Sequence, residues 1–273
     1  MAIWSLSDAG LQAMGGQLTA SSLLTNVTSG AANAVGSWTQ MHASTTFPVS
    51  LIRIHFGKAG VSVAATNTQF MFNVGVGAAG LETIIAQDIA AGGSLAFSTW
   101  EFPLSVPAGS RLSIQTRSLT ASKVVTMGMM IFGGGLGIES SYKATTYGAV
   151  TSGSRGTILT APGTANSVEA AWTVIIAATT LPIRFLLVGV ASPNTATATA
   201  ADLLIDIGVG AAGVESSIIS DIACSVSANE DIIHSRPLLF PVNIPVGSRL
   251  VARYRGTSTL TTASPSITLT GFC

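Results

Sequence analysis

Two hexapeptides in this chain have the spacing of a phosphate-cradling loop. Gly75-Val76-Gly77-Ala78-Ala79-Gly80 and Gly208-Val209-Gly210-Ala211-Ala212-Gly213 both read G-x-G-x-x-G. In a dinucleotide site such glycines make a tight turn and let the backbone approach a pyrophosphate. An apolar run precedes each copy, and a short helix is expected after each, over Leu81 to Ala90 and Val214 to Ala223. Glu101 stands where the fingerprint asks for a ribose-binding acid, whereas Glu230 and Asp231 fall short of it in the second copy. The fingerprint works only inside a βαβ unit with a long helix returning to a parallel sheet. Here the Pro-rich FPLSVPAGSRL follows the first candidate helix, and no βα rhythm comes after it. The alternative is a glycine-rich turn on a sandwich, with glycine supplying positive φ. The missing context favours that turn, so no cofactor is expected.

Other reactive types are scattered. His42, His55 and His234 show no metal-ligand spacing, and neither HExxH nor CxxC occurs. Serine is abundant, but no G-x-S-x-G elbow is present. Asp202 and Asp206 could share one face of a turn, yet no supporting pattern makes them a glycosidase pair. Cys224 and Cys273 sit among apolar, Ser and Thr residues and read as small buried hydrophobes, with a bridge between them left open. No catalytic, cofactor-binding or metal-ligating residue is assigned, and the chain is not expected to be an enzyme.

The elements that carry these residues occur twice. WTQMHASTTFP (Trp38 to Pro48) matches WTVIIAATTLP (Trp172 to Pro182), VGVGAAGLE matches IGVGAAGVE, and FPLSVPAGSRL (Phe102 to Leu112) matches FPVNIPVGSRL (Phe240 to Leu250). The offsets are 134, 133 and 138, which puts an insertion in the second copy near Asn229 to Arg236. A repeat of this length is a domain, not a solenoid unit. Two tandem domains from an internal duplication are expected, residues 1–137 and 138–273. Ile52, Ile54 and Phe56 alternate with Arg53 and His55, and Phe70, Phe72 and Val74 repeat at every second position. Pro107 and Gly109 set a turn before Leu112 and Ile114. The expected class is all-β, with two antiparallel β-sandwich or jelly-roll-like domains.

Three charges recur between copies: Glu82 with Glu215, Asp88 with Asp221, and Arg111 with Arg249. Arg111 and Arg249 are each expected to pair with an acid of the helical stretch, an interface role being the competing reading. Trp38 and Trp172 read as core anchors, while Trp4 and Trp100 are the exceptions to test as sugar-stacking platforms.

Composition narrows the setting. Only 9% of the 273 residues are charged, the net charge is zero, and 48% are hydrophobic. Disorder needs the opposite balance. A nucleic-acid surface needs clustered Lys and Arg. No stretch meets the length of a spanning helix, and no positively charged segment precedes Arg53, so neither a membrane nor a secretory route is expected. Ala9 to Ile52 holds no charge over 44 positions. It reads either as a partner-binding arm or as ordinary opening strands.

The strings IGVGAAGVE and FPVNIPVGSRL, with the low charge and Ser/Thr/Gly/Ala richness, resemble structural proteins of tailed-bacteriophage virions. That resemblance implies β-sandwich or jelly-roll modules serving as capsid decoration, neck, tail or fibre components. It implies partners among other virion proteins and copies of the chain itself, and location in a virion assembled in the host bacterial cytoplasm. A decoration or capsid-associated role is slightly favoured, since no collagen-like or coiled-coil shaft is present. The alternative is a tail or fibre receptor-binding module that takes a bacterial surface glycan.

Overall fold

A computed structural model of the chain describes residues 11–14, 24–57, 69–92, 97–133, 143–149, 156–162, 169–191, 201–226, 238–257 and 264–273. The chain divides into two compact units, Met1–Ala144 and Thr145–Cys273. The boundary expected between residues 137 and 138 lies outside the described residues, as do the insertion near Asn229 to Arg236, Trp4 and His234.

The first unit holds strands β1 (Leu11–Met14), β2 (Thr25–Thr28), β3 (Thr39–His42), β4 (Val49–Gly57), β5 (Gln69–Val76), β6 (Thr83–Gly92), β7 (Phe97–Phe102), β8 (Leu112–Ser118) and β9 (Val124–Gly133). One sheet runs β1-β9-β4-β7, with β2 also against β9. The neighbours in the other are β6-β5-β8-β3. Lettered B to I in chain order, with β1 and β2 as two pieces of B, these are the B-I-D-G and C-H-E-F sheets of a jelly roll. Ile52 and Ile54 are buried, while Arg53 and His55 between them are half-buried. Strand alternation thus supplies one apolar face per sheet. The faces meet where Phe72 of β5 and Phe102 of β7 pack edge to face, centroids 6.1 Å apart. The described part of the uncharged opening stretch holds β1, β2, β3 and the start of β4.

The second unit holds all but the first residue of β10 (Ala144–Tyr147), then β11 (Thr157–Ile158), β12 (Thr173–Ile176), β13 (Ile183–Ala191), β14 (Ala201–Val209), β15 (Ser216–Val226), β16 (Leu238–Ile244), β17 (Leu250–Gly256) and β18 (Ser266–Phe272). β16, β13 and β18 are neighbours, with β10 and β11 against β18, and the facing sheet runs β12-β17-β14-β15. The same lettering applies strand for strand. Leu186 and Val188 of β13, Ile205 and Ile207 of β14, and Leu269 of β18 share one buried core.

The helices expected over Leu81 to Ala90 and Val214 to Ala223 are not there; β6 and β15 occupy those positions, and no helix occurs among the described residues. Bulges explain the misleading spacing. Phe72 and Val74 face Ile89 and Ala86, three residues apart instead of two. Ile205 and Ile207 face Ile222 and Ile219 in the same way. An extra residue per bulge stretches a two-residue period toward a helical one. Asp88 and Asp221 sit in these bulges at φ 57° and 56°. The backbone N–H of Asp88 donates to Asn73 Oδ1 at 2.7 Å, and that of Asp221 to Asp206 Oδ1 at 2.9 Å. Local side-chain acceptance of this kind steadies a left-handed residue that is not glycine.

Candidate functional site

At one end of each unit, three connections are locked into a rigid cluster. The first is the Thr45 segment between β3 and β4. Thr45 Oγ1 donates to the Pro107 carbonyl at 3.0 Å and accepts from the Ser110 N–H at 3.0 Å. Thr179 repeats both bonds with Pro245 and Ser248, at 3.0 and 3.1 Å. These threonines are buried, so the PAGS and PVGS turns are fixed by groups that water does not reach.

The second connection is the G-x-G-x-x-G loop, which joins two antiparallel strands, β5 to β6 and β14 to β15. Its glycines have internal duties. A Cβ on Gly75 would lie 2.6 Å from a Trp38 ring carbon, and one on Gly208 2.8 Å from Trp172. Gly77 and Gly210 adopt φ 129° and 133°, which side chains rarely reach. The first glycine therefore admits an indole, whereas the fingerprint uses that glycine for the tight turn and the second for the pyrophosphate. Glu101, the candidate ribose acid, is paired across strands with Arg53, whose Nε donates to it at 2.8 Å.

The third part is the arginine clasp. Arg111 Nη1 donates to Glu82 Oε1 at 2.5 Å and to the Gly77 carbonyl at 3.4 Å. Arg249 Nη1 reaches Glu215 Oε1 at 2.7 Å and the Gly210 carbonyl at 3.0 Å. The sequence-derived pairing is present, but the clasped acid precedes a strand, not a helix. Burial alone would push the Glu82 carboxyl up. The Arg111 guanidinium and the Glu82 and Gly80 N–H groups outweigh it and hold it below the usual carboxylate range. Glu215 is held low by Arg249 first, then by its own N–H and that of Gly213. Both clasps are charged, short and directional, hence stiff.

What the clasped loops present is apolar. Leu81 is 78% exposed and Val214 is 73% exposed at the same loop position, each next to the clasped glutamate. In the second unit Val246 (60%) and Val174 (44%) are exposed as well, where the first unit has Ala108 and Gln40. Gln40 accepts a bond from Arg111 Nε at 3.0 Å.

Inside each unit a cross-strand pair differs. Asn73 faces Gln115 in the first, and Asp206 faces Arg253 in the second. Arg253 Nε and Nη2 both reach Asp206 Oδ2, at 3.1 and 3.0 Å. Its guanidinium also pairs with Glu169 and lies 4.2 Å from the centroid of the Trp172 ring. Asp202 and Asp206, expected on one face of a turn, lie instead on a strand. Both lie on β14, Asp206 buried and committed to Arg253, Asp202 exposed. Trp38 and Trp172 are half-buried plugs over Gly75 and Gly208, not central core anchors.

The remaining candidates stay apart. His42 is buried on β3, while His55 Nε2 lies 3.1 Å from Met130 Sδ. No group of three metal-binding side chains occurs among the described residues. Trp100, offered as an exposed sugar platform, is 3% exposed and opposite Ile54 on β4. Cys224 and Cys273 are not joined by a disulfide, and both are half-buried, not fully buried. Cys224 lines a cavity of about 450 Å³ with Asp202, Leu203, Leu204, Ala223 and Arg255. Burial, aided by the Asp202 charge, pushes its thiol up to about 11, so it is a poor nucleophile near neutrality. No helix among the described residues is long and apolar enough to cross a membrane. Sequence reasoning missed the Thr45 and Thr179 locks, although the repeated TT before F/L-P was visible.

No protein-family model matches the chain, and no curated protein does. Solved structures similar to it include a viral major capsid protein, the STIV MCP, at 12% identity over 97% of this chain and 96% of that one, TM-score 0.42. Others are the tandem CBM22-1-CBM22-2 domain of Paenibacillus barcinonensis Xyn10C (10% identity, 97% and 90% coverage, TM-score 0.27) and a fucolectin from Morone saxatilis serum (12%, 87% and 86%, 0.22). With TM-scores below 0.5, these likenesses carry no argument about function; the all-β class rests on the strand order itself.

Proposed function

We propose that this chain is a non-enzymatic structural component of a tailed-phage virion, capsid-associated or decorating, which binds copies of itself and neighbouring virion proteins. The observation that carries this reading is the clasped end of each unit. A half-buried ion pair holds Leu81 and Val214 out into solvent on a stiff loop, twice in one chain. Aliphatic side chains presented this way favour burial by a partner. A net charge of zero adds no repulsion between copies. Mass spectrometry and cryo-EM of purified particles test the reading: the chain is expected at stoichiometric abundance in the particle shell. Its absence from every virion sinks the proposal.

The second reading, a glycan-binding fibre module, has less support. Among the described residues the large exposed hydrophobics are all aliphatic, and Trp100 is buried. Sugar rings stack on aromatic faces. A glycan array with the whole chain separates the two, and specific retention of one glycan would favour the module.

A further inference from the structure

We infer that His55 and Met130 form a binding site for a soft monovalent cation, Cu(I) or Ag(I). The inference is independent of the virion reading. His55 lies on β4 and Met130 on β9, 75 residues apart in the chain. Chain spacing cannot pair them; sheet register does. Gly128 faces His55 and Arg53 faces Met130, so the two side chains meet diagonally on one face. Gly128 carries no side chain, which leaves the imidazole room to reach across to β9. Its Nε2 ends 3.1 Å from Met130 Sδ. Both residues are half-buried, on the side of the sheet away from the core residues Ile52, Ile54, Met129 and Ile131. The second unit has Gly189 in place of His55, so the chain holds this pair once.

An imidazole nitrogen beside a thioether sulfur is a donor set that soft metals select. A closed-shell monovalent ion is satisfied by two such ligands, where zinc takes four donors and calcium takes six or more oxygens. The imidazole must be neutral to bind. Burial first, and the Arg53 charge second, hold its proton affinity below the ordinary value. Glu101, paired with Arg53, offsets the guanidinium charge that an incoming cation would meet. The other ring nitrogen has a partner that suits both states. Thr99 Oγ1 lies 3.2 Å from His55 Nδ1. Without metal, Nε2–H donates to the sulfur and the Thr99 hydroxyl donates to Nδ1. With metal, the ring proton sits on Nδ1 and donates to Thr99, which leaves the Nε2 lone pair for the ion. The ring keeps its single proton throughout. A small rotation of the unbranched methionine side chain opens space for the ion between nitrogen and sulfur.

Silver(I) titrated into the full chain is the test, read by the nitrogen resonances of labelled histidine. Cys224→Ser and Cys273→Ser keep the stronger thiol ligands out of the titration. His55 Nε2 should shift with one equivalent of silver(I) per chain, while Nδ1 reports a bound proton and His42 does not respond. Met130→Leu, which conserves volume, and His55→Gln should each weaken binding at least tenfold with an unchanged circular dichroism spectrum. Thr99→Val should weaken it less and reduce the protonated Nδ1 signal. Met71→Leu, at a sulfur that meets Arg117 instead, should leave binding intact. The Met130 methyl resonance guards against a variant that fails to fold: it should move together with His55 Nε2 in the same titration. A His55 that does not respond to excess silver(I), a Met130 methyl that stays still while His55 moves, or an unchanged affinity in Met130→Leu overturns the inference. Equal affinity for zinc(II) overturns it too, because a soft site prefers silver(I).

Discussion

The two units solve one packing problem with different electrostatics. Where β5 faces β8, Asn73 and Gln115 are buried and neutral. Where β14 faces β17, Asp206 and Arg253 carry opposite charges and recruit Glu169 and Trp172. The bulge beside them is unchanged, because Asn73 Oδ1 and Asp206 Oδ1 accept the same N–H. The geometry asks only for an oxygen there. Charge is optional, provided it is compensated across the ladder.

Several experiments would break or sharpen that contrast. Asp206→Ala should have the largest effect. It removes the bulge acceptor and one partner of Arg253, for a loss of about 3 kcal/mol in urea unfolding. Asn73→Ala should cost about 1 kcal/mol, as a neutral bond does. Equal losses would show that the charge contributes nothing. Gly75→Ala and Gly208→Ala come next, at about 2 kcal/mol each from overpacking against the indole. Here the units should agree, and a harmless substitution in either would refute the plug. Asp206→Asn combined with Arg253→Gln converts the second unit to the chemistry of the first. It should fall within about 1 kcal/mol of wild type, and Asp206→Asn alone should be worse.

Acid should separate the units more gently. Burial lowers His42 below its ordinary value, and burial with Arg53 lowers His55. The second unit has Ile176 and Gly189 at these positions. The unfolded chain binds protons at those histidines more readily than the folded one. Stability of the first unit should therefore fall as pH drops below about 6.5. The clasped Glu82 and Glu215 act on both units. Their contribution is present above the ordinary carboxylate range and is lost as pH falls through their lowered folded values. Opening free energies from hydrogen exchange, corrected for the intrinsic amide rate at each pH, should fall in the first-unit strands as pH drops from about 7.5 to about 5.5, while those of second-unit strands change little. The smallest effect concerns Cys224. Its reaction with a thiol reagent near pH 8 should be much slower than that of free cysteine, whose pKa is about 8.5.

Much of the fold was legible from spacing. The alternation at Ile52, Ile54, Phe70, Phe72 and Val74 identifies β4 and β5, and the Pro-Gly turn places β8. The recurring Glu and Arg identify the clasp. What failed was β6 and β15, because a bulge residue in a left-handed conformation leaves only an Asp as its mark. The G-x-G-x-x-G string was ambiguous for a physical reason. A bare backbone is needed wherever a group approaches closely, and sequence alone does not say whether that group is a cofactor or an indole, 37 residues upstream in the first unit and 36 in the second. The Asp206–Arg253 pair was invisible, because cross-strand register depends on bulges that spacing cannot count.

The arginine over the Trp172 ring has a consequence for magnetic resonance. The chain has four tryptophans, and only Trp172 lies in the second unit. Labelling with fluorotryptophan should give one fluorine resonance for that unit, displaced by the guanidinium at 4.2 Å. Its return toward the free amino-acid position would time the loss of the Arg253 contact while the Trp38 and Trp100 resonances follow the first unit, giving one sample two internal clocks.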